Sequence, residues 1–157
     1  RIDHHIEYQQ SKNWAPIAGD GELTNKTLVI LGYGGIGSQV AKLGKAFGMR
    51  VTGIRRNPQD DEHADEVLGL DRFEELLPLT DYLVLALPDS PQTRDIINAD
   101  ILEKLNTSAM IINVGRGTAI NEVDLADALN NGKIAAAALD TTKIEPLDTN
   151  SSLWMCN

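Results

Sequence analysis

The chain has 157 residues, a formal net charge of −9, 42% hydrophobic and 24% charged residues, and a sequence pI near 4.7. That length suits one domain, able to bury roughly 70% of the surface its unfolded chain would expose. The acidic balance argues against a general binder of nucleic acid or anionic membrane, because either partner is repelled over most of such a surface.

No apolar run approaches the roughly 20 residues needed to span a bilayer, and the opening "RIDHHIEYQQ" lacks the form of a signal peptide. Cys156 is the only cysteine, which excludes an internal disulfide and a cysteine metal cluster and makes a reducing, cytoplasmic setting the expectation. Residues 1–26 read as a polar lead-in, with Trp14, Pro16 and the glycines of "AGDGELTNK" expected to pack against something. His4 and His5 are adjacent, and neighbouring side chains on a helix point in different directions, which argues against a shared metal.

After the lead-in the chain alternates. "KTLVIL" (26–31) is a continuous apolar run, short enough for a strand covered on both faces. "IGSQVAKLGKAF" (36–47) places Ile36, Val40, Leu43 and Phe47 at helical spacing, and Gly48 ends the helix. "RVTGI" (50–54) is the next strand. Asp71 and Glu74 have the spacing of a capping box, opening a short helix "RFEELL". "DYLVLALP" (81–88) reads as a strand closed by proline, "NADILEKL" (98–105) as a helix and "AMIINV" (109–114) as a strand. Asn121 and Asp124 suggest a helix start, Asn131-Gly132 its end, and "IAAAAL" (134–139) is a strand of small residues. Strands separated by helical segments imply parallel pairing through right-handed crossovers. The predicted fold is therefore an α/β, Rossmann-type doubly wound parallel sheet with helices on both faces. Ligands of such sheets bind at the carboxyl ends of the strands.

The first of those ends reads "LGYGGIGSQVAK". Gly32, Gly34 and Gly37 form G-x-G-x-x-G directly after a strand and at the opening of a helix. The spacing permits a tight turn, close approach of a pyrophosphate to the backbone, and close packing of helix on strand, with the phosphates facing free N–H groups at the positive end of the helix dipole. At the end of the second strand, NAD-binding versions of this fold carry an acidic residue that accepts hydrogen bonds from the ribose hydroxyls. Here that position holds Arg55, followed by Arg56. A guanidinium cannot accept those bonds but can grip a 2′-phosphate in bidentate fashion. NADP is accordingly the expected cofactor. The alternative is NAD held by backbone contacts, with both arginines solvated.

Later strand ends add polar groups. Pro88 and Pro91 stiffen the loop "LALPDSPQTR" near the adenosine side. In "NVGRGTAINE", Arg116 stands at a strand end between Gly115 and Gly117, open to bidentate capture of a substrate carboxylate. Asp140 lies at the end of the last strand, where it could meet the nicotinamide or Arg116. Glu145, just before Pro146, could orient a histidine and keep it protonated as a general acid.

These stretches together resemble the D-isomer-specific 2-hydroxyacid dehydrogenase family, which includes phosphoglycerate dehydrogenases and glyoxylate/hydroxypyruvate reductases. The resemblance runs from about Trp14 to Trp154 and is carried by "LGYGGIG", "LALPDSPQTRDIIN", "IINVGRGTAINEVDLADALNNGKI", "AALD" and "EPLDTNSSLW". It implies reversible hydride transfer between a nicotinamide and C2 of a small 2-hydroxy or 2-oxo acid. By the same resemblance Arg116 binds the substrate carboxylate and carbonyl, Glu145 partners the catalytic histidine, and Asp140 lies near the nicotinamide. Gly35 and Ile36 would cover the pyrophosphate, Val114 and Gly115 the nicotinamide end, and Leu87, Pro88 and Thr93 the adenosine half.

The chain departs from the family in two places. It has "LDTTK" where many members have "LDVFE", and its histidines are His4, His5 and His63, all upstream of the family's Pro-His motif. The reading is thus a cofactor-binding domain, 1–157, excised or truncated from such an enzyme, with little or no turnover of its own and a homodimer plausible. A second reading is a dinucleotide-sensing module like the corepressors related to this family. A Rossmann methyltransferase leaves "NVGRG" and "EPLDTNSSLW" unexplained.

Overall fold

The computed structural model describes residues 2–14 and 21–156. Among these, six parallel strands run in sequence as β1 (Thr27–Leu31), β2 (Arg50–Ile54), β3 (Glu66–Leu68), β4 (Tyr82–Leu85), β5 (Met110–Asn113) and β6 (Ala136–Leu139). Their order across the sheet is β3-β2-β1-β4-β5-β6, the doubly wound order in which the chain starts centrally, builds outward one way, and then returns to build the other. β1 pairs with β2 from Thr27↔Arg50 and with β4 from Leu28↔Tyr82.

Side chains alternate between two cores, as period-2 geometry requires. Val29, Leu31, Leu83, Leu85 and Ile111 face one side, packed with residues of α3 (Phe73–Leu76), α4 (Ala99–Lys104) and α5 (Glu122–Asn130). Leu28, Ile30, Val51 and Val84 face the other, against α2 (Gly35–Ala46).

The sequence expectation differs from the structure at several elements. Of the apolar series Ile36, Val40, Leu43 and Phe47, only Val40 packs, partly buried, against the core. Ile36, Leu43 and Phe47 are exposed, and the face on the sheet is Gly37, Ala41 and Gly44. A Cβ on Gly44 would lie 2.6 Å from Leu28 Cδ2, so the helix sits too near the sheet for large side chains. Asp71 does not cap α3: the cap position is Arg72, which instead pairs with Glu75. The helix is one turn between two 3-10 turns, too short for a capping box to organise. "DYLVLALP" leaves the sheet at Leu85 rather than Pro88, because Ala86 and Leu87 turn past the loop of β1. β3 and a helix α1 (Ile2–Gln10) were not anticipated. Trp14 is fully exposed rather than packed, and Pro16 and Gly19 lie outside the described residues.

Other expectations hold. Asn121 caps α5 by accepting the Val123 and Asp124 N–H groups, Asn98 caps α4 through the Ile101 N–H, and Gly48 and Gly132 follow α2 and α5 at positive φ.

Two carboxylates secure the amino-terminal edge of the sheet. Asp81 accepts the Thr27 N–H at 2.9 Å and Lys26 Nζ at 3.0 Å, joining β4 to β1. Asp65 accepts the Val51 N–H at 2.8 Å and Lys45 Nζ at 2.6 Å, joining β3 to β2. Burial pushes the Asp81 carboxyl up, but the Thr27 N–H and Lys26 outweigh it and hold the group below its usual value. Lys45 first, then the Val51 N–H, do the same for Asp65.

A carboxyl whose pKa is depressed by folding adds stability above its unfolded value, about 4, and loses it as pH falls through the lower folded value. Acid titration of unfolding is therefore expected to show a steep loss below about pH 4 that is shallower in Asp81→Asn and Asp65→Asn; parallel curves for variant and parent would contradict it. Ala41→Leu, although it adds apolar volume, is expected to destabilise by about 1–3 kcal/mol in urea denaturation, because its face has no room.

Candidate functional site

Three loops converge at the carboxyl ends of β1, β4 and β5. Gly32 leaves β1 at φ +103°, a conformation L side chains rarely adopt, and a Cβ there would fall 2.6 Å from the Ala86 carbonyl oxygen. Gly115, after β5, would carry a Cβ 2.7 Å from the Leu87 carbonyl oxygen. The backbone of residues 86–87 thus passes between two glycines, one from each neighbouring strand.

Helix α2 starts immediately beyond. Gly34 is its cap position but supplies no side-chain acceptor, and no acidic residue stands in the first turn. Gly34, Gly35 and Ile36 are exposed, with open space around the Cβ positions of both glycines. The first helical N–H groups have no intrahelical acceptor, so an uncapped, exposed start presents donors and the positive dipole end to an anion. Gly37, by contrast, is buried against the Gly32 carbonyl and Ile30. These residues fit a pyrophosphate by shape and by donor chemistry.

Arg55 and Arg56 follow β2 at the same edge. Arg55 is half-buried, its N–H bonded to the Leu68 carbonyl at 3.0 Å, and Arg56 is exposed.

After β4, Pro88 and Thr93 bracket a tight turn. Thr93 Oγ1 donates to the Pro88 carbonyl at 2.7 Å and accepts the Ser90 N–H at 3.0 Å. Asp89, which the sequence reading passed over, ties this turn to the next loop. Its Oδ1 accepts from Thr118 Oγ1 at 2.9 Å and from Arg94 Nε at 3.1 Å. Arg94 and Thr118 hold its carboxyl below the usual range, with the charge of Arg116 contributing less. The backbone continues the link through Asp95 N–H to Thr118 O and Ile97 N–H to Ala119 O.

The "NVGRG" turn after β5 rests on Asn113, a second residue not singled out by sequence. Asn113 is fully buried, accepts the Gly115 N–H at 3.0 Å and donates to the Arg116 carbonyl at 3.1 Å. The backbone ladder continues through the Val114 N–H to the Leu85 carbonyl, and the Asn113 amide holds Gly115 and Arg116 in the turn that follows. A polar residue ending an apolar strand run was the available signal. Arg116 is exposed, yet not wholly free: Nη1 donates to the Gly115 carbonyl at 2.9 Å.

Asp140, exposed at the end of β6, is held through its N–H to the Asn113 carbonyl at 3.0 Å. Glu145 Oε1 accepts the Thr142 N–H at 3.1 Å and so closes its own turn. In the divergent "LDTTK" stretch, Thr141 Oγ1 is buried without a partner, Thr142 abuts Gly117, and Lys143 bonds Asp95 and Glu122. The site residues named from sequence therefore all follow the carboxyl ends of strands β1, β2, β4, β5 and β6. A groove of about 220 Å³ between Asn25, Lys45 and Asp65 lies at the opposite edge, and its carboxylate is already paired.

Comparison with known proteins agrees with this geometry. Residues 1–157 match the pattern described as D-isomer specific 2-hydroxyacid dehydrogenase, NAD binding domain. A glyoxylate reductase of Aeropyrum pernix is 39% identical over 96% of the chain and 47% of the relative. A D-isomer specific 2-hydroxyacid dehydrogenase family protein of Aeromonas salmonicida superposes with a TM-score of 0.92 at 37% identity, over 98% of this chain and 49% of the other. An NADPH-dependent glyoxylate/hydroxypyruvate reductase of Sinorhizobium meliloti, solved with NADP and sulfate, gives 0.87 at 30% identity, over 98% and 49%. The chain spans about half the length of these relatives, and none of the three supports the dinucleotide-sensing alternative. With the doubly wound order, the glycine loop and the arginine turn all at one edge, the chain belongs to the D-isomer-specific 2-hydroxyacid dehydrogenase family, as its NAD-binding domain.

Proposed function

We propose that this domain binds NADP in preference to NAD and serves a cytoplasmic enzyme that interconverts small 2-hydroxy and 2-oxo acids. The observation that carries the cofactor reading is the arginine pair at the end of β2, where an NAD-binding chain would present a carboxylate. The Sinorhizobium meliloti relative, NADPH-dependent by description, supports it. The bound nicotinamide would donate or accept the hydride.

Everything else falls to the chain. The N–H groups of Gly35 and Ile36 would hold the pyrophosphate, with Gly32, Gly34 and Gly37 shaping the loop. Leu87, Pro88 and Thr93 would flank the adenosine half, and Val114 and Gly115 the nicotinamide end. Arg116 would turn its remaining N–H groups to the substrate carboxylate, positioned by Asn113 from below. Asp140 would stand beside the nicotinamide. Glu145 would orient a histidine and keep it protonated as the general acid. His63 is not that histidine: it lies in the β2–β3 crossover, with β1, β4 and β5 between it and β6, from which Glu145 follows.

A homodimer completes the proposal. Ile36, Leu43 and Phe47 make an exposed apolar stripe along α2, and Trp14 is also uncovered. Two copies could bury such stripes against each other.

Titration of the protein with NADPH and NADH, followed by nicotinamide fluorescence, is expected to show tighter NADPH binding. Arg55→Ala/Arg56→Ala should weaken NADPH by roughly 10- to 100-fold and leave NADH unchanged, the worth of one or two charge-assisted contacts. Equal binding of both cofactors by the parent chain refutes the preference. For the dimer, sedimentation should find two copies in the parent and one in Leu43→Glu/Phe47→Glu; a monomeric parent rules it out.

A further inference from the structure

Gly53 lies inside β2, where a strand ordinarily carries a side chain to pack. Its neighbours on that face are Val51 of the same strand and, by register, Ile30 and Val67 of the flanking strands, all buried in the α2-side core. The space above the glycine is filled by Tyr33, the residue between Gly32 and Gly34 of the glycine loop. A Cβ at residue 53 would fall 2.5 Å from Tyr33 Cγ and closer still to Cδ2, so the ring seats directly on the strand backbone. Tyr33 is only 3% exposed. Its hydroxyl is buried and finds no hydrogen-bond partner among the described residues. The position therefore uses the ring, not the hydroxyl.

The backbone makes the same joint. The Ile54 carbonyl accepts the N–H groups of both Gly32 and Tyr33, at 3.0 and 2.8 Å. The N–H of the same peptide unit belongs to Arg55 and donates to the Leu68 carbonyl at 3.0 Å. A peptide unit is planar and stiff. The one that carries Arg55 is thus held by the glycine loop through its oxygen and by β3 through its nitrogen. The Tyr33 ring on Gly53 closes the same gap one residue earlier. Glycine loop and arginine are two ends of one rigid piece.

That rigidity bears on the choice of cofactor. In a dinucleotide with a 2′-phosphate, that group and the pyrophosphate are joined through one ribose, so covalent bonds limit their separation. A protein that holds both anions gains fully from the second contact only where its two anchors already stand at the matching distance; a displaced anchor loses affinity. A cofactor without the 2′-phosphate touches the first anchor alone and is indifferent to that distance. We infer that Gly53 and Tyr33 are specificity-determining positioning residues: the ring seated on the bare strand backbone sets the span from the start of α2 to Arg55, and with it the advantage of NADPH over NADH. The inference rests on the NADP reading of Arg55 and Arg56. It adds that the preference is set from beneath, by a glycine and a buried ring.

The test reads the ratio of NADPH to NADH affinity by nicotinamide fluorescence, with folding checked by circular dichroism. Gly53→Ala, which displaces the ring, is expected to shift the ratio about tenfold toward NADH, the worth of one charge-assisted contact. If that variant does not fold, Tyr33→Leu decides: it keeps an apolar side chain without the flat ring, and a shift of about threefold in the same direction is expected. Tyr33→Phe retains the ring and should leave the ratio unchanged. So should Met49→Ala, which loosens the same core just before β2. In an Arg55→Ala/Arg56→Ala background, Gly53→Ala should no longer move the ratio, because the second anchor is gone. Equal weakening of both cofactors, a ratio that moves in Tyr33→Phe or Met49→Ala, or a shift that survives loss of the arginines overturns the inference. A parent chain with no NADPH preference overturns the arginine reading, and this inference falls with it; a preference that Gly53→Ala leaves intact overturns the inference alone.

Discussion

The carboxyl edge of this sheet depends on one close backbone approach. Strands β1 and β4 lie side by side, yet the chain leaves them for opposite faces, β1 toward α2 and β4 toward α4. Where the two connections part, the carbonyl of Ala86 and the backbone of Leu87 slide between Gly32 and Gly115 at distances that admit no Cβ. Replace either glycine with any other residue and the loops must separate. The uncapped start of α2, the Asn113-bound turn and the Asp89–Thr118 link are then no longer set against one another.

Stability and chemistry occupy opposite ends of the same strands. At the amino edge, Asp65 and Asp81 pair with strand N–H groups and with lysines, and their charges are spent there. At the carboxyl edge the helix start has no cap, and Arg55, Arg56 and Arg116 keep donors facing solvent. One end is closed by its own side chains. The other is left unsatisfied in the way a binding site must be, since donors already used inside the protein cannot hold an anion.

Much of this was legible in residues 27–139. Five strands were marked, β1 by a continuous apolar run, because a strand covered on both faces has no polar alternation to conceal it. The glycine spacing marked the loop, and strand ends marked the edge. What escaped did so for physical reasons. β3 is three residues long, below any period. The buried face of α2 is glycine and alanine, so hydrophobicity pointed to its opposite side. The reading of Arg116 as unhindered missed its bond to the carbonyl of Gly115, which depends on backbone direction rather than on neighbouring side chains. Asn113 and Asp89 act through bonds to loops distant in space from their own segments, and spacing along the chain carries no trace of them.

The central place of β1 has a consequence for how the chain is made. β1 is the first strand of the sheet to leave the ribosome, and β2 can pair with one side of it soon after. Its other side waits for β4, beyond all of β2, β3 and α3, at a synthesis rate of about 5–20 residues per second. For those seconds an apolar strand edge stands open, the kind of surface that recruits other nascent chains. Closure at Ala86 and Leu87 ends that exposure for β1 and hands the open edge outward to β4, which waits in turn for β5, so the contact that shapes the finished loop is also the moment at which the centre of the sheet is sealed.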